Sequence, residues 1–446
     1  MSFPAYAAYR DSGVPWLGVV PAHWSAKALR FLMSCNDEVL SEDTPPDYEV
    51  DYVEISDVDE VGGVRGSETM KFADAPSRAR RLVRDGDIIL STVRTYLRAI
   101  ATVANPPGNM VVSTGFAVLR PRDVNSRFAR YAVAYDGFVQ EVISRSKGIS
   151  YPAINASDLV RIFLPVPPAH EQQAIAHYLD AETVRIDALI REKEGLIGLL
   201  GEYRQSVIAD LTTGVNLPGA KTMTGNIFCP SIPSAWQMVR IGKYARIGNG
   251  STPLKDNADY WVGGSFPWLN SAVVNQDEVS EGSEYVTDEA LRACHLPIVH
   301  AGAVLVALTG QGKTRGQVTV LRIKATINQH LAFLAADPKA FDTEYLFWTL
   351  TGMYAALRMV SDGQGGTKGA LTCEDLSRFQ IPMPLLAEQQ SIAAQVQIET
   401  ARIDELTGHA SAEIALLKEL RAATIADAVL GRVDVRSQTA AGPSPK

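Results

Sequence analysis

Cysteine, long apolar runs and an excess of basic charge are what this sequence has least of, and each shortage excludes something. The four cysteines, Cys35, Cys229, Cys294 and Cys373, lie far apart and form no paired metal-ligand spacing. Cys294–His295 is the one Cys/His neighbour pair, whereas a structural zinc site needs about four ligands. Such usage suits a reducing cytoplasm, the expected location. No run of about 18 apolar residues is available to span a membrane as a helix. The opening MSFPAYAAYRDSGVPW lacks the basic start and apolar core of a secretory signal. A chain of 446 residues, 46% of them hydrophobic, can build two or three folded domains.

Net charge is −8, which on its face disfavours a nucleic-acid partner. The distribution of that charge weakens the objection. Residues 1–165 carry 18 basic and 20 acidic groups, and residues 221–380 carry 14 of each. The shorter stretches 166–220 and 381–446 carry 4 against 8 and 6 against 8. The two large segments are therefore nearly neutral, and local loops can still be basic.

Complete catalytic motifs are missing too. Gly312–Lys313–Thr314 resembles the end of a phosphate-binding loop, but Ala307 stands where that pattern needs its first glycine, and the following GQVTVLRI reads as a strand rather than a helix. Asn105–Pro106–Pro107–Gly108 resembles the N-P-P-aromatic motif of adenine methyltransferases, but has glycine where an aromatic ring must stack on the flipped base. A proline turn between strands is the better reading. The seven histidines show no metal or triad spacing. No nucleophile, general base or cofactor site is expected.

What is present is a tandem duplication. LPVPPAHEQQAIAHYLDAETVRIDAL (164–189) aligns without gaps with IPMPLLAEQQSIAAQVQIETARIDEL (381–406) at an offset of 217. Upstream, PAHW at 21–24 answers PSAW at 233–236, GDIIL at 86–90 answers GAVLV at 302–306, and ASDLVR at 156–161 answers CEDLSR at 373–378. The offset drifts from 212 to 217, so loops have diverged while the frame persisted. The domains expected are a globular block over 1–165, a helix over 166–215, a second block over 216–380, a second helix over 381–432 and a disordered tail over 433–446.

The repeated segments read as long helices. Ile175, Leu179, Ile186, Leu189, Leu196, Leu200, Tyr203, Val207 and Leu211 recur at helical spacing, and most positions 217 further on are apolar too. A stripe of that length needs a mate, and its own duplicate is the natural one. Pro167–Pro168 and Pro384 mark the starts, and Gly195, Gly198 and Gly201 predict a bend or break in the first helix. Each block reads as α/β or α+β, with strand–turn–strand units at 83–103 and 298–323 and short helices near 126–144 and 343–360.

The order of variable block, helix opening on P-x-P-x-x-E-Q-Q, second block and second such helix resembles the specificity subunits of type I restriction–modification systems. The likeness covers almost the whole chain and rests on Pro165, Pro167, Glu171, Gln172 and Gln173, repeated at Pro382, Pro384, Glu388, Gln389 and Gln390; PWLG at 15–18 adds to it. The resemblance implies two target recognition domains of α/β (α+β) class, in tandem and in pseudo-two-fold arrangement, separated by two long antiparallel coiled-coil-like helices. It implies that each domain reads one half of a bipartite site on double-stranded DNA. The partners implied are two methyltransferase subunits and restriction/translocase subunits, which would hold S-adenosylmethionine, ATP and Mg²⁺; this chain would hold no cofactor.

Candidate DNA-reading residues lie on loops placed alike in both blocks. Arg94, Tyr96 and Arg98 crowd one loop, preceded by Arg78, Arg80, Arg81 and Arg84; the matching loop carries Gln311, Lys313 and Arg315. A second pair follows the short helices, with Arg145 and Lys147 in the first and Gln364, Thr367 and Lys368 in the second. Arginine and lysine can contact guanine edges or phosphates, and glutamine can pair with adenine. Glu54 and Asn270 are weaker matched candidates. Two other readings stay open: the targeting part of a fused restriction–methylation enzyme, and a helical adaptor without DNA binding.

Overall fold

The computed structural model describes residues 4–59, 63–310, 312–362 and 369–436. The chain forms two compact units, Met1–Lys193 with Ala412–Lys446, and Glu194–Ser411. The tail expected over 433–446 falls largely outside the described residues.

The centre of the first unit is an antiparallel sheet ordered Ile100–Thr102, Ile88–Ser91, Phe116–Pro121, Met33–Cys35. All four residues of Ile88–Ser91 are buried. Alternation along a strand explains why this run is continuously apolar. Ile88 and Leu90 face a core with Phe128 and Phe138, whereas Ile89 faces a second core with Val53, Val112 and Val118. That second core is closed by a sheet in which Glu49–Val53 and Met110–Ser113 run parallel. Two helices follow, α1 (Ser126–Ala134) and α2 (Asp136–Arg145). The strand Phe163–Val166, paired with Ser25–Ala28, then leads into α3 (Ala169–Thr213).

The second unit repeats this plan. Its five-stranded sheet, ordered Ala245–Asn249, Leu331–Ala336, Val304–Ala307, Val318–Leu321, Glu278–Val279, again has a fully buried strand serving two cores. Val304 and Val306 face one core, Leu305 and Ala307 the other. Helices α4 (Thr343–Gly352) and α5 (Tyr354–Asp362) follow. Gln380–Met383 pairs with Gln237–Arg240 and leads into α6 (Leu386–Val429).

Helix α3 holds 45 residues, about 67 Å at 1.5 Å per residue. Contrary to expectation it runs unbroken through Gly195, Gly198 and Gly201. Each glycine costs roughly 1 kcal/mol of helix propensity, but contacts on either side hold the turns. In the first unit Asp187 pairs with Arg421 at 2.9 Å and Lys193 with Glu413 at 2.5 Å; in the second Arg204 pairs with Asp404 at 3.0 Å. As numbering rises on α3 it falls on α6, so within each unit the helices run antiparallel.

The expected stripe is only partly a buried seam. Ile175, Leu179 and Ile186 are buried, as are Ile392, Val396 and Ile403. Ile175 and Leu179 join the core of the first unit and Ile392 and Val396 that of the second, whereas Leu196, Tyr203, Leu406 and Leu420 are exposed. No described helix is long and apolar enough to cross a membrane.

Candidate nucleic-acid interface

In the first unit the two candidate loops adjoin. After Ser91 the chain makes a short 3-10 turn, Thr95–Leu97, flanked by Arg94 and Arg98, both in the left-handed region at φ 50° and 54°. The loop after α2 is laced to it. The Arg94 amide donates to the Pro152 carbonyl at 2.8 Å and that of Ile154 to Thr92 at 2.9 Å. The Thr95 and Ser146 hydroxyls meet at 3.0 Å.

The candidate cations differ sharply in freedom. The Arg94 guanidinium lies 4.5 Å from the centre of the Tyr151 ring, and Tyr96 is exposed. Arg98 pairs with Asp136, and Arg145 donates to Glu141 from the preceding turn at 2.8 Å. The backbone of Lys147 pairs with Ala153, leaving its side chain exposed. Of the upstream arginines, Arg78 pairs with Glu54 and Arg84 with Glu38. Arg80 lies over Phe72, and Arg81 turns inward to Asn36 and the Phe116 carbonyl.

Equivalent bonds build the second site. The Leu371 amide donates to the Leu308 carbonyl at 2.8 Å, the counterpart of Ile154 to Thr92. Lys313 is exposed, its carbonyl accepting from the Tyr354 hydroxyl at 2.8 Å. Arg315 is 5% exposed and donates to the Gly369 carbonyl. Its guanidinium therefore ties the two loops together instead of standing on the surface. Gln311, Gln364, Thr367 and Lys368 lie outside the described residues. Asn270 and Glu54 each cap a 3-10 turn. Sequence reasoning passed over Gln329 and His330, exposed on the turn that meets Leu308; His330 Nδ1 lies 2.9 Å from the Thr309 hydroxyl.

The repeated E-Q-Q is a pair of internal clips. Trp24 Nε1 donates to Glu171 at 2.9 Å, and Trp236 Nε1 to Glu388 at 3.1 Å. The next residue, Gln172 or Gln389, accepts from the backbone amide of Asn125 at 2.7 Å or Asp342 at 2.9 Å. It also donates to the carbonyl of Pro167 at 2.8 Å or Pro384 at 3.0 Å. Asn125 and Asp342 in turn cap α1 and α4. Each P-x-P-x-x-E-Q-Q thus locks the start of a long helix to the block before it. Glu171 is almost fully buried, which opposes its ionisation, yet hydrogen bonds from Trp24, His23 and Tyr6 more than offset this. Its carboxyl is held below the usual range.

A family model described as the type I restriction modification DNA specificity domain matches residues 47–194 and again 233–415, together more than half the chain. The chain belongs to the type I restriction–modification DNA specificity family. A Methanocaldococcus jannaschii relative named as a type I restriction enzyme MjaX specificity subunit is 24% identical over 324 residues, covering 70% of this chain and 71% of the relative. The crystal structure of an HsdS subunit from Thermoanaerobacter tengcongensis matches 93% of this chain and 98% of that one, with TM-score 0.54 and 25% identity. A further solved chain, from work on complex assembly and conformational transition of the type I R-M system, shares the fold at TM-score 0.74 and 24% identity, over 92% of this chain and 98% of its own.

Within this specificity-family fold the rejected motifs take ordinary places. Asn105–Gly108 joins the strands Ile100–Thr102 and Met110–Ser113, and Gly312–Thr314 turns into the strand Val318–Leu321. Among the described residues no group of three or more His, Cys, Asp or Glu is placed to hold a metal ion.

Proposed function

We propose that this chain reads a bipartite, asymmetric DNA site for a type I restriction–modification complex and is itself non-catalytic. The observation that carries the reading is one scaffold built twice with unlike loops. Four strands in the same order and the same Glu and Gln clips recur in both units, while the loop after Ser91 carries Arg94, Tyr96 and Arg98 and the longer loop after Ala307 carries Gln311, Lys313 and Arg315. Two readers with different tips can recognise two different half-sites, which a homodimer of one reader cannot do. The long helices α3 and α6 would serve as the spacer between them.

A second repeated feature supports docking of two methyltransferase subunits. Leu199 and Tyr203 on α3 are 65% and 58% exposed, and Leu416 and Leu420, 217 positions on, are 64% and 47% exposed. A duplicated pair of exposed apolar side chains offers the same contact twice. S-adenosylmethionine, ATP and Mg²⁺ belong in this reading to the methyltransferase and restriction/translocase partners. The four free cysteines agree with a cytoplasmic setting.

Mapping adenine methylation across a genome that encodes this chain and its methyltransferase tests the reading directly. Two short constant sequences separated by a fixed gap, lost on deletion of this chain, are expected. Methylation that persists unchanged without the chain, or falls on one continuous short site, would overturn it.

A further inference from the structure

Four large apolar side chains stand in solvent on the two joined loops of the first unit. Ile149 is 102% exposed, Tyr151 61%, Leu97 55% and Tyr96 50%. Single exposed hydrophobic residues need no explanation, but these four sit on loops that are built to stay put. The backbones of Lys147 and Ala153 exchange two hydrogen bonds, at 2.8 and 2.9 Å, closing the segment 148–152 into a narrow tip. Gly148 turns into it at φ 109°, where an added Cβ would lie 3.1 Å from the Tyr151 carbonyl oxygen. The base of the tip is bonded to the Arg94 loop through Pro152 and Ile154, and Arg94 packs on the Tyr151 ring.

The charge around this tip is positive. Neither Arg94 nor Lys147 pairs with a carboxylate among the described residues, whereas Arg98 and Arg145 do. An apolar tip between two cations that no described carboxylate neutralises suits a duplex groove, with phosphates for the cations and an apolar group on a base edge for the tip. In the major groove the one apolar group that a base edge presents is the 5-methyl of thymine. The corresponding stretches of the second block read TGQGKTRG at 309–316 and SDGQGGTKGA at 361–370, without isoleucine, leucine or tyrosine.

We propose that Ile149, at the tip of the loop closed by Lys147 and Ala153, reads a thymine methyl group in the half-site of the first block. This rests on the DNA-reading function proposed for the chain and adds the chemistry of one half-site to it.

The test uses the full chain with its methyltransferase subunits and a duplex pool with randomised positions, selected by binding at fixed salt and sequenced. Each thymine of the enriched site is then replaced by deoxyuridine, which removes only the methyl group. At one or more thymines of one half-site the replacement should weaken binding about three- to fivefold, as expected for one methyl group taken from water. Ile149→Ala should abolish that preference, leave the deoxyuridine duplex bound as before, and leave the melting temperature unchanged, since the side chain touches nothing it needs for folding. Indifference of the wild type to deoxyuridine at every position overturns the proposal. So does an Ile149→Ala variant that keeps the preference, or one that weakens binding to both duplexes equally, the result expected of a wedge between base steps. Failure to enrich any sequence overturns the DNA-reading function itself, and is distinguished because no site then exists to modify.

Discussion

Replacing Gln389 by methionine isolates the clip that fastens α6 to the second block. The side chain is fully buried, accepts from the Asp342 amide at 2.9 Å, and donates to the carbonyls of Ala340 and Pro384 at 2.9 and 3.0 Å. Methionine has a similar length but can make none of these bonds. A buried amide left without a partner costs about 1–3 kcal/mol, and the two carbonyls add less, because each has a second lone pair. A loss of about 2–4 kcal/mol is expected, a large share of the 5–15 kcal/mol typical of a folded domain. Gln172→Met, which breaks one bond in each direction instead of three in all, should cost less. Urea unfolding measures the loss, and hydrogen exchange locates it: amides of the first turn of α4 should exchange faster in Gln389→Met while those of α1 keep their protection. A loss below about 0.5 kcal/mol would refute the argument, as would equal loss of protection in α1 and α4, or a larger effect from Gln172→Met.

Three further outcomes follow from the same geometry. Because the carboxyl of Glu171 is held below its usual range in the folded chain, its contribution is complete above about pH 4.5 and is lost as pH falls through the lowered value. Glu171→Gln should therefore destabilise by about 1–3 kcal/mol at neutral pH and by progressively less under acid, and a difference constant from pH 7 to pH 3 would contradict this. Arg315→Ala should loosen the loop bonded through Gly369 and weaken DNA binding through the second block only; hydrogen exchange around residues 369–371 and methylation mapping check it, and an altered first half-site would count against it. Inserting four residues between Gly195 and Gly201 lengthens α3 by about 6 Å. The gap between half-sites should then grow by one or two base pairs at about 3.4 Å each, with both half-sites unchanged; altered half-site bases in the methylation map would refute the spacer role.

The frame was legible because it is written twice. Helical spacing from Ile175 onward, the 217-residue offset and the strand–turn–strand units all survive into the structure, since each depends on residues close in sequence. What was hidden depends on distant partners. Arg315 and Arg94 look alike on paper, yet one is buried against Gly369 and the other lies on Tyr151. Tyr203 repeats at helical spacing like Ile186, but Ile186 is buried and Tyr203 is exposed. The glycines of α3 suggested a break because local propensity was the only term visible; the ion pairs that flank them come from a helix some 200 residues away.

The duplication also separates what cannot change from what can. Glu171 and Glu388, Gln172 and Gln389, and the caps Asn125 and Asp342 keep their chemistry across the two copies because each serves a buried polar group whose loss would cost kilocalories. The loops differ freely in sequence: SRSKGISYPAI at 144–154 stands where the second copy has SDGQGGTKGAL at 361–371. Surface substitutions of that kind usually alter stability by no more than about 0.5 kcal/mol. A reader built this way can acquire a new half-site through its exposed tips while the clips that hold the long helices stay as they are. The same division explains why the two copies could drift apart in what they touch without drifting apart in how they fold.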